Sequence, residues 1–385
     1  MGRLRSGSGA RGPRGGFRGQ ARVSVLWGMG LLAAGCASAG PAGGHAGVDP
    51  AARAPAALGA AGASLLDHVQ DQDPTLLPPG VRVFTADGTP SSWDALLAAA
   101  GDARVVLLGE IHDDIVGHRA RHALLRALAG GAVAGPEWAA AAHPADPEVS
   151  ACAPHVVSLE MLETDVQLVV DEYQAGLITA DHFRRAARPW DNHDRDYEPY
   201  LAVARACGFP VVAANPPRRY VNRVARLGEA ALDALAPEAL ATLPPLPVAP
   251  PTERYRAQWN ALMGGGAGHG SAPTHGAPPP HGAPAPHGAA APTPPLDPVL
   301  QAQNVWDAGM AWAVARAAEA HPQARIVHVA GSFHVQDRTG IPEHLERYLP
   351  GASILVVVAF PEAPGAAFDS GRHGGKGDFV LLTER

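Results

Sequence analysis

Three cysteines in 385 residues exclude a disulfide-dense scaffold as the source of stability. Cys36 ends an N-terminal apolar stretch, so only Cys152 and Cys207 remain for the fold, as one bridge or as two buried thiols. Positive charge is scarce as well: 30 Lys and Arg stand against 37 Asp and Glu, a formal net charge of -7 with the signs interspersed. That balance argues against nucleic acid as a partner. After Cys36 no apolar run is long enough to span a bilayer.

Acidic residues are absent from residues 1–22, which carry Arg3, Arg5, Arg11, Arg14, Arg18 and Arg22. The stretch "VSVLWGMGLLAAGC" follows, from Val23 to Cys36. A positive start, an apolar segment too short for an ordinary membrane span and small residues before a cleavage point are the marks of an export signal. The ending "LAAGC" resembles a bacterial lipobox, with Ala33 where leucine is more usual. Cleavage before Cys36 leaves a lipid on that cysteine and anchors the chain at the outer membrane or the periplasmic face. The alternative is an ordinary secretory signal cut near Ala37 to Ala39. Residues 37–75 open on "ASAGPAGGHAGVDPAARAPAALGAAGAS", nearly free of large apolar side chains, and read as a flexible tether. Residues 76–385, about 310 positions, are enough for one large domain with an insertion or for two.

What is present is an alternation of strands and helices. Buried-strand candidates are "RVVLLGE" (Arg104 to Glu110), "HVVSLEM" (His155 to Met161), "FPVVAAN" (Phe209 to Asn215), "RIVHVAG" (Arg325 to Gly331) and "SILVVVAF" (Ser353 to Phe360), with "RVFTADG" (Arg82 to Gly88) at an edge. Amphipathic stretches at His118 to Leu128, Tyr197 to Cys207 and Gln303 to Ala320 lie between them. The pattern predicts an α/β fold, a mostly parallel sheet covered by helices on both faces. The rhythm breaks from Leu227 to Asp297. Residues 264–295 are Gly/Pro-rich, with histidines at 269, 275, 281 and 287, and read as an arm between two cap helices. That arm is either a repeat expanded in a tolerant loop or a collector of metal or haem iron.

The chemistry gathers at strand ends. "VVLLGEIHDD" delivers Glu110 and His112, "SLEM" delivers Glu160, and "VAGSFHV" delivers His334. In a parallel sheet these ends share the carboxyl edge, where open α/β folds bind ligands. "GEIH" and "GSFH" share one plan: a buried strand, a glycine for a tight turn, and a histidine three residues on. Glu110, His112, Glu160 and His334 therefore make an acid–base cluster, and His112, Glu160 and His334 a divalent-metal set. Asp113 and Asp114 read as helix caps, and the helix face bearing His118 and His122 as solvated.

The segments "VVLLGEIHDDIVGH", "VSLEMLETDVQLVVDEYQAGLIT", "RPWDNHDRDYEPYLAVARACGFPVVAANPPRRYVNRVAR", "QAQNVWDAGMAWAV" and "IVHVAGSFHVQDRTGIPEHL" together resemble the ChaN-like haem-binding lipoprotein family. That family is similar to the Tiki, TraB and erythromycin-esterase superfamily. The resemblance runs from about Arg104 to Leu349 and implies a mostly parallel α/β domain with a smaller helical subdomain, the insertion 216–305. It implies a haem-binding surface lipoprotein in haem or iron acquisition, with a homodimer and an outer-membrane haem receptor as partners. By motif, Glu110, His112, Glu160 and His334 match the strand-end elements, Tyr197 a "Y-x-P" element, and Asp307 and Met310 the "WDxxM" helix. Tyr197, His193, Tyr200 or His112 would then ligate haem iron, and Arg218, Arg219 and Arg223 would meet the propionates. Ser332-Phe333 stands where relatives carry small residues, so the ring narrows the pocket beside His334. The segment from Gly135 to Pro154 looks like an insertion. The competing expectation is a hydrolase, metal-dependent or Glu/His-based, acting on an ester or peptide; a structural surface lipoprotein is the third.

Overall fold

Val105 to Leu108 carry no polar alternation, and the strand they begin, β3 (Val105–Glu110), is buried at all its positions. A strand covered on both faces and paired on both edges requires such a run. The computed structural model describes residues 76–130, 152–264 and 297–385. The expected export signal with Cys36, the expected tether, the His/Gly/Pro arm beyond Gly264 and most of the Gly135 to Pro154 segment lie outside the described residues.

Before β3 come β1 (Val81–Thr85), the two-residue β2 (Pro90–Ser91) and helix α1 (Trp93–Asp102). After it come β4 (His155–Glu163), β5 (Val211–Asn215), β6 (Arg325–Gly331), β7 (Ile354–Glu362) and β8 (Phe379–Glu384). They form one eight-stranded sheet in the order β2-β1-β8-β7-β3-β6-β4-β5. The pairs from β8 across to β5 are parallel, and β1 joins β8 antiparallel. The fold class is thus the α/β architecture that the periodicity demands. "FVLLTE" was not among the expected strands, since six residues at the end of the chain become a strand only by pairing with β7 and β1.

Side chains alternate along these strands into two cores. Val106, Leu108, Val157 and Leu159 face one side and meet α1, α2 (Ile115–Ala129) and α5 (Glu198–Cys207). Two further helices, α3 (Gln167–Gln174) and α4 (Ala180–Ala187), complete that face. Val105, Leu107, Ile326 and Val356 face the other side and meet α8 (Pro298–Ala320) and α9 (Ile341–Tyr348). A third cluster, with Val221, Val224, Leu232 and Val305, joins α6 (Arg218–Leu227) to the first half of α8. Most of its residues fall within 216–305, the span expected as a helical insertion. There the broken rhythm hid a helix: α7 (Glu253–Gly264) buries Tyr255 and Trp259, a pair too sparse to signal helical periodicity.

Asp114 caps α2, its carboxylate accepting from Gly117 N at 2.9 Å, whereas Asp113 is exposed and does not cap. Cys152 and Cys207 form a disulfide, resolving the open alternative in favour of the bridge. The edge strand β5 is covered by Gln167, which donates to Val211 O and accepts from Ala213 N, both at 2.8 Å. These bonds occupy backbone groups that would otherwise template pairing with another chain.

Chain direction places the site. β3 leaves through α2 on one face, and its neighbour β6 leaves through α9 on the opposite face. The carboxyl ends of β3 and β6 therefore flank the topological switch point, where connections diverge and a crevice opens.

Candidate functional site

Glu110 ends β3, and the fold buries its side chain completely. Its Oε1 accepts from Tyr197 OH at 2.6 Å and from His112 Nδ1 at 2.7 Å. Its Oε2 lies 3.5 Å from Arg121 Nη2 and 3.6 Å from His118 Nδ1. Burial alone would raise this carboxyl, but the His112 hydrogen bond and the charges of Arg121 and His118 prevail and hold it at about 2. The same carboxylate fixes the His112 ring, since a Nδ1–H donor leaves Nε2 as the open nitrogen. Burial lowers His112, while the Glu110 hydrogen bond and the charge of Glu160 more than offset it and raise the imidazole. The backbone is held too: His112 O accepts from His118 Nε2 at 3.1 Å and from Asn192 Nδ2 at 3.2 Å.

A second dyad comes from β6. His334 Nδ1 donates to Asp307 Oδ1 at 2.5 Å, and Asp307, buried on α8, also accepts from Tyr255 OH. His334 Nε2 faces Glu160 Oε1 at 3.6 Å, and Glu160 Oε2 accepts from Gly331 N at 2.6 Å. Burial lowers His334, but Glu160 and Asp307 outweigh it and raise the imidazole to about 9. It is therefore a cation at neutral pH, between two carboxylates.

The two glycines shared by the strand-end motifs act by absence of a side chain, not by a left-handed turn. Gly331 has φ -53, and Gly109 is not among the positive-φ glycines. A Cβ on Gly331 would stand 3.2 Å from His112 Cε1 and 3.5 Å from His334 Cδ2, so both rings converge over this one backbone position. At Gly109 a Cβ would reach 2.7 Å from Val335 and 2.8 Å from Val358. Gly109→Ala is therefore expected to destabilise by about 1–3 kcal/mol through overpacking and to displace the segment carrying His334. Urea denaturation checks the loss; a variant of unchanged midpoint would show that the contact relaxes freely.

Glu110, His112, Glu160 and His334 thus come together as the strand-end pattern requires. The further expectation of a metal set in His112, Glu160 and His334 gains no support. Among the described residues no group of three or more His, Cys, Asp or Glu is arranged to hold a metal ion. The Nδ1 atoms point to Glu110 and Asp307, and Glu160 is bound to backbone.

The haem-ligand expectations are redistributed. Tyr197 and Tyr200 are fully buried. Tyr197 OH is spent on Glu110, and burial, then the Glu110 charge, keeps it a phenol far above its ordinary range. Tyr200 OH lies inside the same interior and is likewise raised by burial. His193 is buried, with Nε2 3.2 Å from Glu198. Arg219 pairs with Asp165 at 2.5 Å, Arg223 donates to Ala231 O, and Arg218 is exposed on α6. As axial ligands the two tyrosines do not fit; they are the packing that holds Glu110 and α2. Met310 is likewise a core residue. Apart from these residues, a cavity of about 390 Å³ is walled by Phe333 and Leu262, with Arg254, Asp337 and Lys376 among its lining.

The solvated reading of the α2 face is corrected. His118, Arg121 and His122 are buried, because Glu110, Asp196 and Tyr200 supply their surroundings from β3 and the α5 side. Arg121 was missed as a site residue. Its spacing from His118 and from Leu124 and Leu125 on the buried face of one helix was the available signal.

The geometry defines a doubly wound α/β protein with two carboxylate-anchored histidines at its switch point. The chain belongs to the family described as "Haem-binding uptake, Tiki superfamily, ChaN", whose model matches residues 96–345. Among solved structures it is similar to ChaN of Campylobacter jejuni with cofacial heme bound, at 17% identity and a TM-score of 0.51, over 79% of this chain and 97% of that one. It is also similar to a mutant of the erythromycin esterase EreC in its open conformation, at 13% identity and a TM-score of 0.37, over 79% and 82% of the two chains. The type III effector HopBA1 follows at 11% identity and a TM-score of 0.36, over 76% and 92%. No curated protein matches the chain by sequence.

Proposed function

We propose that this protein is an exported, lipid-anchored haem-binding protein that serves haem or iron acquisition. The observation that carries the reading is the match to the haem-binding uptake family over residues 96–345, a span that includes both dyads. The N-terminal export signal and the lipobox ending at Cys36 support anchorage, and a Cys152–Cys207 bridge suits an oxidising compartment. A homodimer and an outer-membrane receptor are the partners that such a role calls for. Mature protein titrated with hemin is expected to give a saturable Soret shift. A featureless titration in both iron oxidation states would overturn the reading.

One observation favours a second reading, hydrolysis of an ester or peptide. His112 Nε2 is the ring nitrogen left open, His334 is an imidazolium, and the two rings meet over Gly331 beside Glu160. Such a pair can take a proton from attacking water on one side and supply one to a leaving group on the other. An ester and peptide screen on the preparation used for hemin separates the two, since turnover that disappears in His112→Gln belongs only to this reading.

A further inference from the structure

Phe333, the bulky residue beside His334, meets that ring edge-on at a centroid distance of 6.1 Å and also walls a cavity. One face of α7 carries Tyr255 and Trp259, which pack on Phe333 at ring-centroid distances of 5.7 and 6.1 Å. The adjoining face, with Arg254, Gln258 and Leu262 at helical spacing, opens on the cavity, and Lys376 joins the lining from the segment before β8. The walls are held in place: Gln258 Nε2 donates to Phe333 O at 3.2 Å, and its Oε1 accepts from Thr339 Oγ1. Leu262 is 49% exposed, an apolar surface left open beside the aromatic ring.

The charge at the rim is uneven. Lys376 Nζ bonds Asp337 at 2.8 Å, which sets that ammonium beside the opening, while exposed Arg254 forms no ion pair among the described residues. Asp337 lines the cavity too and balances Lys376, so Arg254 is the cation left over, and a guanidinium beside an apolar wall matches a carboxylate on a flat hydrophobic body. The volume, about 390 Å³, suits part of a large planar ligand.

The geometry points to this cavity as the subsite for the carboxylate-bearing edge of a flat apolar ligand. On the haem reading proposed above, on which the assignment rests, that edge is the propionate side of the porphyrin. Arg254 meets a carboxylate, Lys376 is shared between Asp337 and the ligand, and Phe333 and Leu262 cover the ring. None of the tyrosines or arginines expected from the motifs takes part.

Three probes test this on the mature full chain: hemin, iron-free protoporphyrin IX and its dimethyl ester. Arg254→Glu combined with Lys376→Glu is expected to weaken hemin and protoporphyrin by about tenfold or more, and Phe333→Ala to weaken both, whereas the dimethyl ester binds the parent protein poorly. Because Lys376 is the only lysine in the sequence, its acetylation by an amine-reactive reagent reports the site alone by mass spectrometry, and protoporphyrin should protect it. Arg254→Glu by itself sits on an exposed position and guards against a misfolded double variant. Unchanged hemin affinity in the charge-reversed protein, together with Lys376 of the parent protein equally reactive with and without protoporphyrin, overturns the subsite and leaves haem binding intact. No Soret change in the parent protein overturns the haem reading, and the porphyrin assignment falls with it.

Discussion

Glu110→Leu is expected to lose about 3–5 kcal/mol of folding free energy, the usual result of removing one partner from a buried ion pair. Arg121 is the reason. Its guanidinium is buried, and its nearest acidic partner is Glu110 Oε2 at 3.5 Å. Tyr197 OH and His112 Nδ1 would lose their acceptor in the same step. Urea denaturation measures the loss, and Glu110→Leu with Arg121→Met should recover part of it, because apolar replacement of both charges removes the stranded one. A single-variant loss below about 1 kcal/mol, the size of an exposed pair, would mean that water reaches the guanidinium. The pH dependence has a definite sign. The folded carboxyl is held at about 2 against an ordinary 4.5, so its stabilisation is complete above 4.5 and is lost as pH falls toward 2.

His334 gives the opposite sign. Its folded value of about 9 lies above the ordinary 6.5, so the stabilisation is fully present below 6.5 and is lost as pH rises through 9. At about 1.4 kcal/mol for each pH unit of separation the effect is on the order of 3 kcal/mol. Asp307→Asn should remove much of it by taking one of the two carboxylate charges from the imidazolium and weakening the Nδ1 hydrogen bond. Urea midpoints measured at about pH 6 and about pH 9.5 should converge in this variant, while the parent protein loses stability over the same interval. The His334 ring proton, followed by NMR, should titrate near 9 in the parent and lower in Asp307→Asn. A parent ring that titrates near the ordinary 6.5 would show that the Asp307–His334–Glu160 array is open to water.

The residues that were legible in advance are those whose position along a strand settles where they go. Glu110 and His112 follow an unbroken apolar run, Glu160 interrupts one, and His334 repeats the first pattern, so a parallel sheet sends all four to one edge. The residues that were not legible act across elements. Arg121 lies in "GHRARH", which reads as a solvated helix face until Glu110 and Tyr200 are seen beneath it. Tyr255 lies in a segment with too few apolar positions to announce a helix, and its hydroxyl bond to Asp307 joins positions far apart in the chain. Tyr197 carries a motif match, yet its ring is fully buried and its hydroxyl acts on Glu110 as a hydrogen-bond donor.

Local pattern by itself determined the α/β class, six of the strands, the capping of α2 by Asp114 and the meeting of four ionisable residues at one sheet edge. Period and polarity are properties of neighbours in the chain, and these depend on nothing else. Only the tertiary structure decided that the motif glycines serve close approach, that the tyrosines are interior, and that each imidazole has its own carboxylate. It also decided that Phe333 walls a cavity beside the site, lined by Arg254, Asp337 and Lys376. Those outcomes depend on which side chains from distant segments exclude water together, and burial changes both the charge a group holds and the atoms it leaves free.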